Sequence, residues 1–320
     1  DFDGILDGTG IDADGKVIGI DGYTTPADTN SSGTADHLEP SVADCEQMTI
    51  WQGTTDNNWG TANNWSTSSV PTQNHKITIP SGLTNYPTAT SAVSFNTMTI
   101  NSGASFIPQS TATGAVTFNR NLPNANWYLI SAPVSGESLD DVISNNTLAS
   151  NSGGYLGLGY FSNVTGAPWL YEQASSSGNM PNGLGISLKL ANPGNLKVSG
   201  SLNTSSISIP ISSGTRNNFN LLGNPFTAYV NSATFTSDNE ALLTEKTIWI
   251  WEGTQYETYN TIKPIELAPG QGFFVEASGN SNVIFTTANR SHQSTDTFKR
   301  EEPIANFELS LESDNTKSAT

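Results

Sequence analysis

The sequence predicts an all-β chain in three parts: a short acidic segment, a small Trp-rich β-module, and a duplicated β-sandwich or jelly-roll-like region. Three observations carry that prediction. Only 13% of the 320 residues are charged, while Gly, Pro, Asn, Ser and Thr abound. That composition suits short strands and turns better than helices, which favour Ala, Glu, Lys and Leu. Alternating apolar segments recur at short intervals. Finally, part of the chain is written twice. Asn126–Val134 reads Asn-Trp-Tyr-Leu-Ile-Ser-Ala-Pro-Val, and Asn218–Phe226 reads Asn-Phe-Asn-Leu-Leu-Gly-Asn-Pro-Phe. Trp169-Leu-Tyr-Glu172 follows the first and Trp249-Ile-Trp-Glu252 the second. Gly183-Leu-Gly185 is then answered by Gly270-Gln-Gly272, and Asn195-Leu-Lys-Val198 by Asn282-Val-Ile-Phe285. Signals in one order argue for an internal duplication, placed at about 126–200 and 218–287.

The acidic segment is assigned to 1–48. Residues 1–46 carry eleven carboxylates against one base, Lys16, within a chain of net charge −17. Nucleic acid is excluded as a partner, since phosphate contacts need a basic face; divalent cations suit the charge. Counted from Asp28, oxygen-bearing side chains fall at the first, third, fifth, ninth and twelfth places: Asp28, Asn30, Ser32, Asp36 and Glu39. Gly33 is sixth, and the Thr34 carbonyl serves the seventh. A twelve-residue calcium loop supplies its oxygens from those places, with a glycine for the sharp turn and a closing glutamate. Pro26 and Pro40 bracket the loop, which argues against flanking EF-hand helices. Weaker partial loops hold Asp1, Asp3 and Asp7, and Asp12, Asp14 and Asp21. Calcium is the expected cofactor. Asp1-Phe-Asp3-Gly-Ile-Leu-Asp7 and Gly22-Tyr-Thr-Thr-Pro26-Ala-Asp28-Thr-Asn30 resemble the calcium-binding thrombospondin type 3-like repeats of bacterial surface proteins. Ser32 stands where such repeats usually carry Asp. Cys45 is the single cysteine, so no disulfide forms within the chain; Asp44-Cys45 resembles a repeat end, where that family often places a disulfide partner.

The β-module is assigned to 49–112. Trp51, Trp59 and Trp65 precede the alternating segments Ile77-Thr-Ile79, Val93-Ser-Phe95 and Met98-Thr-Ile100, which suggest a small β-layer or solenoid-like unit. The three tryptophans are read as core, in preference to a sugar-stacking platform. The pattern Trp-x-Gly, Trp, Asn-Trp, Val-Pro resembles a module of Bacteroidetes surface and secreted proteins.

The duplicated region is assigned to 113–302. Val116-Thr-Phe118 and Ile207-Ser-Ile209 lead in as strands. One helix is expected near Leu139–Ile143, with Ser138 as cap and Asp140 and Asp141 in its first turn. The Gly-x-Gly elements precede strands and not helices, so they are not dinucleotide fingerprints; they let the backbone turn or approach closely. Ala132-Pro133 and Asn224-Pro225 break strands at corners. Leu221-Leu-Gly-Asn-Pro-Phe226, Ala268-Pro-Gly-Gln-Gly-Phe-Phe-Val275 and Asn289-Arg-Ser-His292 resemble the region preceding the C-terminal sorting domain in Bacteroidetes proteins of the type IX secretion system. That resemblance implies a secreted or cell-surface location in a Gram-negative bacterium and brings no catalytic residue. Residues 303–320 are read as a further strand, Phe307–Leu311, or linker. The opening Asp-Phe-Asp-Gly reads as mid-motif, so a piece of a longer protein is expected. No apolar run is long enough to span a bilayer, and no membrane insertion is expected.

No catalytic constellation stands out. His37, His75 and His292 lack zinc spacing, and no Gly-x-Ser-x-Gly elbow exists. Glu172 and Glu252 hold matching places in the repeat, yet alternation turns both to solvent more readily than it makes a glycosidase pair. His292 is read as a surface or hydrogen-bonding partner of Arg290. The expectation is a non-enzymatic extracellular segment: an adhesin, scaffold or filament of the gliding-motility kind, stiffened by calcium. Its expected partners are surface glycans or other copies or modules of the same surface protein. The alternative is a carbohydrate-binding module of a secreted polysaccharide-degrading enzyme, which requires several exposed aromatic residues in a row.

Overall fold

The structure is a computed structural model that describes residues 47–164 and 166–299, together with the backbone strands Ser310–Ser313 and Thr316–Ala319. The chain divides into two compact units, Asp1–Met48 and Thr49–Thr320. The expected calcium loop at Asp28–Glu39, the two partial loops, His37 and Cys45 all lie outside the described residues. Within the second unit the described residues form an all-β fold, with two short helices, Leu139–Asn145 and Ser232–Asp238.

Its first part is a parallel coil. His75–Ile79, Val93–Ile100 and Ala112–Leu122 lie side by side in parallel. Alternation places every second residue inward, and the register stacks those residues into columns. Ile77, Met98 and Val116 form one; Ile79, Ile100 and Phe118 form the next, and all six are buried. A second parallel ladder, Thr88–Ala89 beside Ile107–Pro108, is visited between those strands. Parallel neighbours need a crossover; here short strands of the second ladder supply it instead of helices. Trp51, Trp59 and Trp65 are core, 0%, 4% and 1% exposed, and meet edge-on at 5.0 and 4.7 Å. Burial obliges an indole N–H to find an acceptor. Trp51 Nε1 donates to the Asn85 carbonyl at 2.7 Å, and Trp65 Nε1 to the Trp59 carbonyl at 2.9 Å.

The coil continues directly into the first copy of the repeat. Ala112–Leu122 carries the last inward column and also pairs antiparallel with Gly194–Leu202, from Leu122 opposite Gly194 to Val116 opposite Gly200. Coil and first copy therefore share a sheet and a core.

The two copies follow one strand plan. In the first, a four-stranded sheet runs Trp169–Gln173, Tyr155–Phe161, Ile186–Leu188, Tyr128–Ile130. In the second, it runs Tyr256–Asn260, Thr247–Trp251, Gly272–Glu276, Phe219–Gly223. Behind each lies an antiparallel pair, Ala112–Leu122 with Gly194–Leu202 and Ile207–Ile211 with Ser281–Phe285. Each copy also has a helix, and the layers enclose an apolar core in the manner of a sandwich. This plan corrects one sequence pairing. Trp249 lies on the strand equivalent to Tyr155–Phe161, whereas Trp169 is equivalent to Tyr256. Neighbouring strands of one face both present aromatic residues at alternate places, so the Trp-x-aromatic-Glu phrase matched one strand out of step.

The first helix starts as expected, with Ser138 Oγ accepting from the Asp141 N–H at 3.1 Å. The second, Ser-Ala-Thr-Phe-Thr-Ser-Asp, has little intrinsic helix propensity. It is held by the Asn231 cap, which accepts from the Ala233 and Thr234 N–H groups, and by buried Phe235. A buried asparagine ends each helix. Asn146 donates to the Val142 and Lys197 carbonyls and accepts from the Lys197 N–H. Asn239 does the same with Phe235 and Ile284. Each fastens its helix to the matching place on a strand, satisfying its amide where an unpaired one would cost free energy.

The Gly-x-Gly elements work across the copies. Gly183 and Gly270 have φ of +75° and +71°, the left-handed region that favours glycine. A Cβ on Gly185 would lie 2.5 Å from the Leu222 carbonyl oxygen, and one on Gly272 would lie 2.6 Å from the Leu129 carbonyl carbon. Leu222 pairs with Leu184, and Ile130 with Gln271. The Gly223 N–H donates to the Gly183 carbonyl as the Ser131 N–H does to that of Gly270, both at 2.9 Å. The copies thus dock with approximate two-fold symmetry, each glycine pair against the first strand of the other copy. At the corner beyond, Asn224 is fully buried. Its amide donates to the carbonyls of Ala228, Leu267 and Ala268 and accepts from the Phe226 N–H.

Residues 290–299 return to the coil. Arg120, 2% exposed, pairs with Asp296 at 2.7 Å, donates to the Pro269 carbonyl and lies 4.3 Å from the Phe298 ring centroid.

Candidate functional site

The outward faces of the two four-stranded sheets carry aromatic side chains in a row. Strand alternation puts Leu129, Leu221 and Phe274 on the face opposite the cores, where they form a third apolar cluster with Phe161, Trp169, Phe219, Trp249 and Trp251. Phe274 is the hub, with its centroid 4.8 Å from Phe161, 5.7 Å from Tyr256, and 6.4 and 6.5 Å from Phe219 and Trp169. Trp251 and Tyr256 pair across neighbouring strands at 5.1 Å, and the equivalent Phe161 and Trp169 at 5.5 Å. Trp127 meets Tyr171 at 5.6 Å. Most proteins cover such rings, yet Trp127, Tyr155, Tyr171 and Tyr256 are 36%, 46%, 39% and 46% exposed.

Three adjoining hollows follow the row. One of about 260 Å³ lies among Phe161, Arg216, Phe219, Trp249, Tyr256 and Phe274. Tyr256 also borders a second, of about 230 Å³, with Trp251, Trp169, Trp127, Tyr171 and Ser187. Trp127 and Tyr171 in turn border the third, of about 340 Å³, which reaches Tyr155, Asn151 and Lys189. Burial raises the pKa of the Tyr171 and Tyr256 phenols, so both stay neutral at physiological pH and can donate or accept hydrogen bonds. The face offers flat rings with hydroxyl, amide and cationic groups at intervals. That arrangement suits an amphipathic ligand with apolar faces and a polar rim.

The other candidates fall elsewhere. Glu172 and Glu252 do not occupy equivalent places: Glu172 lies on an edge strand, while Glu252 follows Thr247–Trp251. Glu252 accepts from the Tyr259 hydroxyl at 2.6 Å and from Lys299 at 3.2 Å. Burial pushes its carboxyl up, but the Tyr259 and Lys299 hydrogen bonds outweigh that and hold it below its ordinary range. His75 is buried, its Nδ1 accepting from the Thr72 N–H at 3.0 Å. His292 does not pair with Arg290. Its ring lies between the Ser105 hydroxyl at Nδ1, 2.8 Å, and the Thr88 hydroxyl at Nε2, 2.9 Å, and burial lowers its pKa to about 4. Arg290 instead donates to the Thr287 carbonyl and lies over Phe226. No group of three or more His, Cys, Asp or Glu side chains suited to a metal occurs among the described residues. No helix among them is long and apolar enough to cross a membrane.

The aromatic face was only half legible in the sequence. Alternation of rings in Trp169-Leu-Tyr171 and Trp249-Ile-Trp251 marks one strand face, but nothing local says whether another layer covers it. Comparison with protein-family models, with curated proteins and with solved structures gives no match.

Proposed function

We propose that this chain is a non-catalytic segment of a secreted or cell-surface protein that holds glycans on its aromatic face, serving adhesion. The row of exposed rings across both copies carries the reading. A pyranose has an apolar C–H face that packs on an aromatic ring and a rim of hydroxyls for groups such as Tyr256, Ser187 and Asn151. An exposed apolar patch of this kind marks an interaction site. Rings set on strands are held rigidly, so little side-chain entropy is lost on binding. In this reading calcium stiffens the acidic segment, with Asp28, Asn30, Ser32, Thr34, Asp36 and Glu39 as the main loop.

A glycan array probed with the whole chain tests the binding role. Specific binding weakened about tenfold in Trp251→Ala or Tyr256→Ala, with unchanged circular dichroism, is the expected result; no glycan bound at millimolar concentration would refute it. Calorimetry with calcium tests the acidic segment separately. Glu39→Gln should weaken calcium binding more than Ser32→Ala, because it removes a charged, potentially bidentate ligand; absence of any calcium heat would sink the assignment.

A further inference from the structure

We infer that the glycan held by this face is anionic, its carboxylate or sulfate groups read by Arg216 at one end of the row and Lys189 at the other. The inference rests on the glycan-binding reading and narrows it to a substrate class.

Outside residues 1–46 the chain still holds 18 acidic residues against 11 basic ones, so a surface taken there at random is mildly acidic. The aromatic face departs from this: no Asp or Glu lines any of the three hollows. Two cations do. Arg216 lines the hollow beside Phe161, with its guanidinium carbon 5.4 Å from that ring's centroid. Lys189 lines the hollow beside Trp127, with Nζ 6.0 Å from the ring centroid. Neither forms an ion pair among the described residues, whereas Arg120, Lys246, Lys263 and Lys299 each do.

Two carboxylates near the face, Glu276 and Glu252, are turned to other partners. Glu276 stands opposite Phe219 in the second copy, at the place equivalent to Lys189, and accepts from the Thr244 hydroxyl at 2.7 Å. Glu252 is held by Tyr259 and Lys299. A cation poised over an aromatic ring keeps its charge and its donors available to an incoming anion. Rings between two such cations would stack sugar faces while the cations select charged substituents along the chain. Arg216 presents a fork that matches a carboxylate or sulfate in two hydrogen bonds, and Lys189 a single mobile charge.

Calorimetry separates this inference from the reading beneath it. The probes are a mannuronate oligosaccharide, a sulfated galactan oligosaccharide and a neutral galactan oligosaccharide of equal length, at about 20 mM and about 300 mM NaCl. At least one anionic probe should bind about fivefold or more tightly than the neutral one at low salt, and lose that advantage at high salt. Arg216→Gln with Lys189→Gln should erase the advantage, weakening anionic binding about fivefold more than neutral binding. Binding of mannuronate alone or of sulfated galactan alone identifies the charged group, and either supports the inference. Equal binding of neutral and anionic probes overturns it and leaves glycan binding standing, as does a double variant that weakens all three alike. Binding of none overturns both.

Discussion

The two copies of the repeat share their architecture and differ on the face they turn outward. Both keep the strand order, the helix closed by a buried asparagine, the proline corner, and the glycine pair docked on the other copy. On the outward face the equivalent places diverge: Gly159 stands where the second copy has Trp249, Ser187 where it has Phe274, Tyr171 where it has Thr258, and Lys189 where it has Glu276. Residues present in both copies are those the backbone needs, to turn, to approach closely or to be fastened. Residues that differ sit where the sheet is free to meet something else. Asn224 shows the same logic at the corner. Its counterpart Ala132 makes none of the four side-chain hydrogen bonds that Asn224 makes, so Gly223-Asn224 is local corner chemistry and the proline is the common part.

The largest expected effect attacks the shared docking. Gly185→Ala and Gly272→Ala each drive a methyl group into the backbone of the opposite copy and should each destabilise by about 3 kcal/mol or more in urea unfolding. If one proves neutral, the approximate two-fold relation fails. Next come the clamps. Asn146→Ala and Asn239→Ala each remove three hydrogen bonds and leave strand groups unpaired, at a cost of about 2 kcal/mol apiece. Similar losses would support equivalence, whereas a tenfold difference in equilibrium constant would show that one copy leans on its clamp and the other does not.

An effect confined to acid conditions sharpens the contrast between the copies and the returning segment. His292 is held neutral because burial lowers its pKa from 6.5 to about 4. The unfolded chain therefore takes up the proton first. Stability at this residue is lost as pH falls from about 6.5 towards about 4, by about 3 kcal/mol at most, and levels off below. In His292→Gln the slope of stability against pH across that window should be shallower; an unchanged slope would contradict the burial of the ring. The smallest effect is on binding: Trp251→Ala should weaken glycan binding about tenfold, ~1.4 kcal/mol, and, because the ring is half-buried in the outward cluster, cost less in urea unfolding than either glycine change.

Much of the fold was legible because its signals are local. The all-β class followed from composition and alternation, the Leu139–Asn145 helix from Ser138, and the burial of Trp51, Trp59 and Trp65 from their place before a strand-rich stretch. The glycine pairs were legible as a turn followed by a close approach, but the partner strand lay in the other copy and no local pattern names it. The Ser232–Asp238 helix was missed because its residues favour caps and turns; only the neighbouring Asn231 and its place in the repeat mark it. The aromatic face was missed as a site for the same reason that Trp169 was paired one strand out of step. Period-two alternation specifies a face, but which strand carries it, and whether anything covers it, are tertiary facts.

The most direct test of the account is the set of tryptophan indole N–H signals in a two-dimensional NMR spectrum as glycan is added to the whole chain. The account predicts that the Trp127, Trp169 and Trp251 signals shift in a saturable way, while Trp51 and Trp65, whose indoles are bonded to the Asn85 and Trp59 carbonyls, stay fixed. Shifts at Trp51 and Trp65 with none on the outward face, or no saturable shift with any glycan, would contradict it.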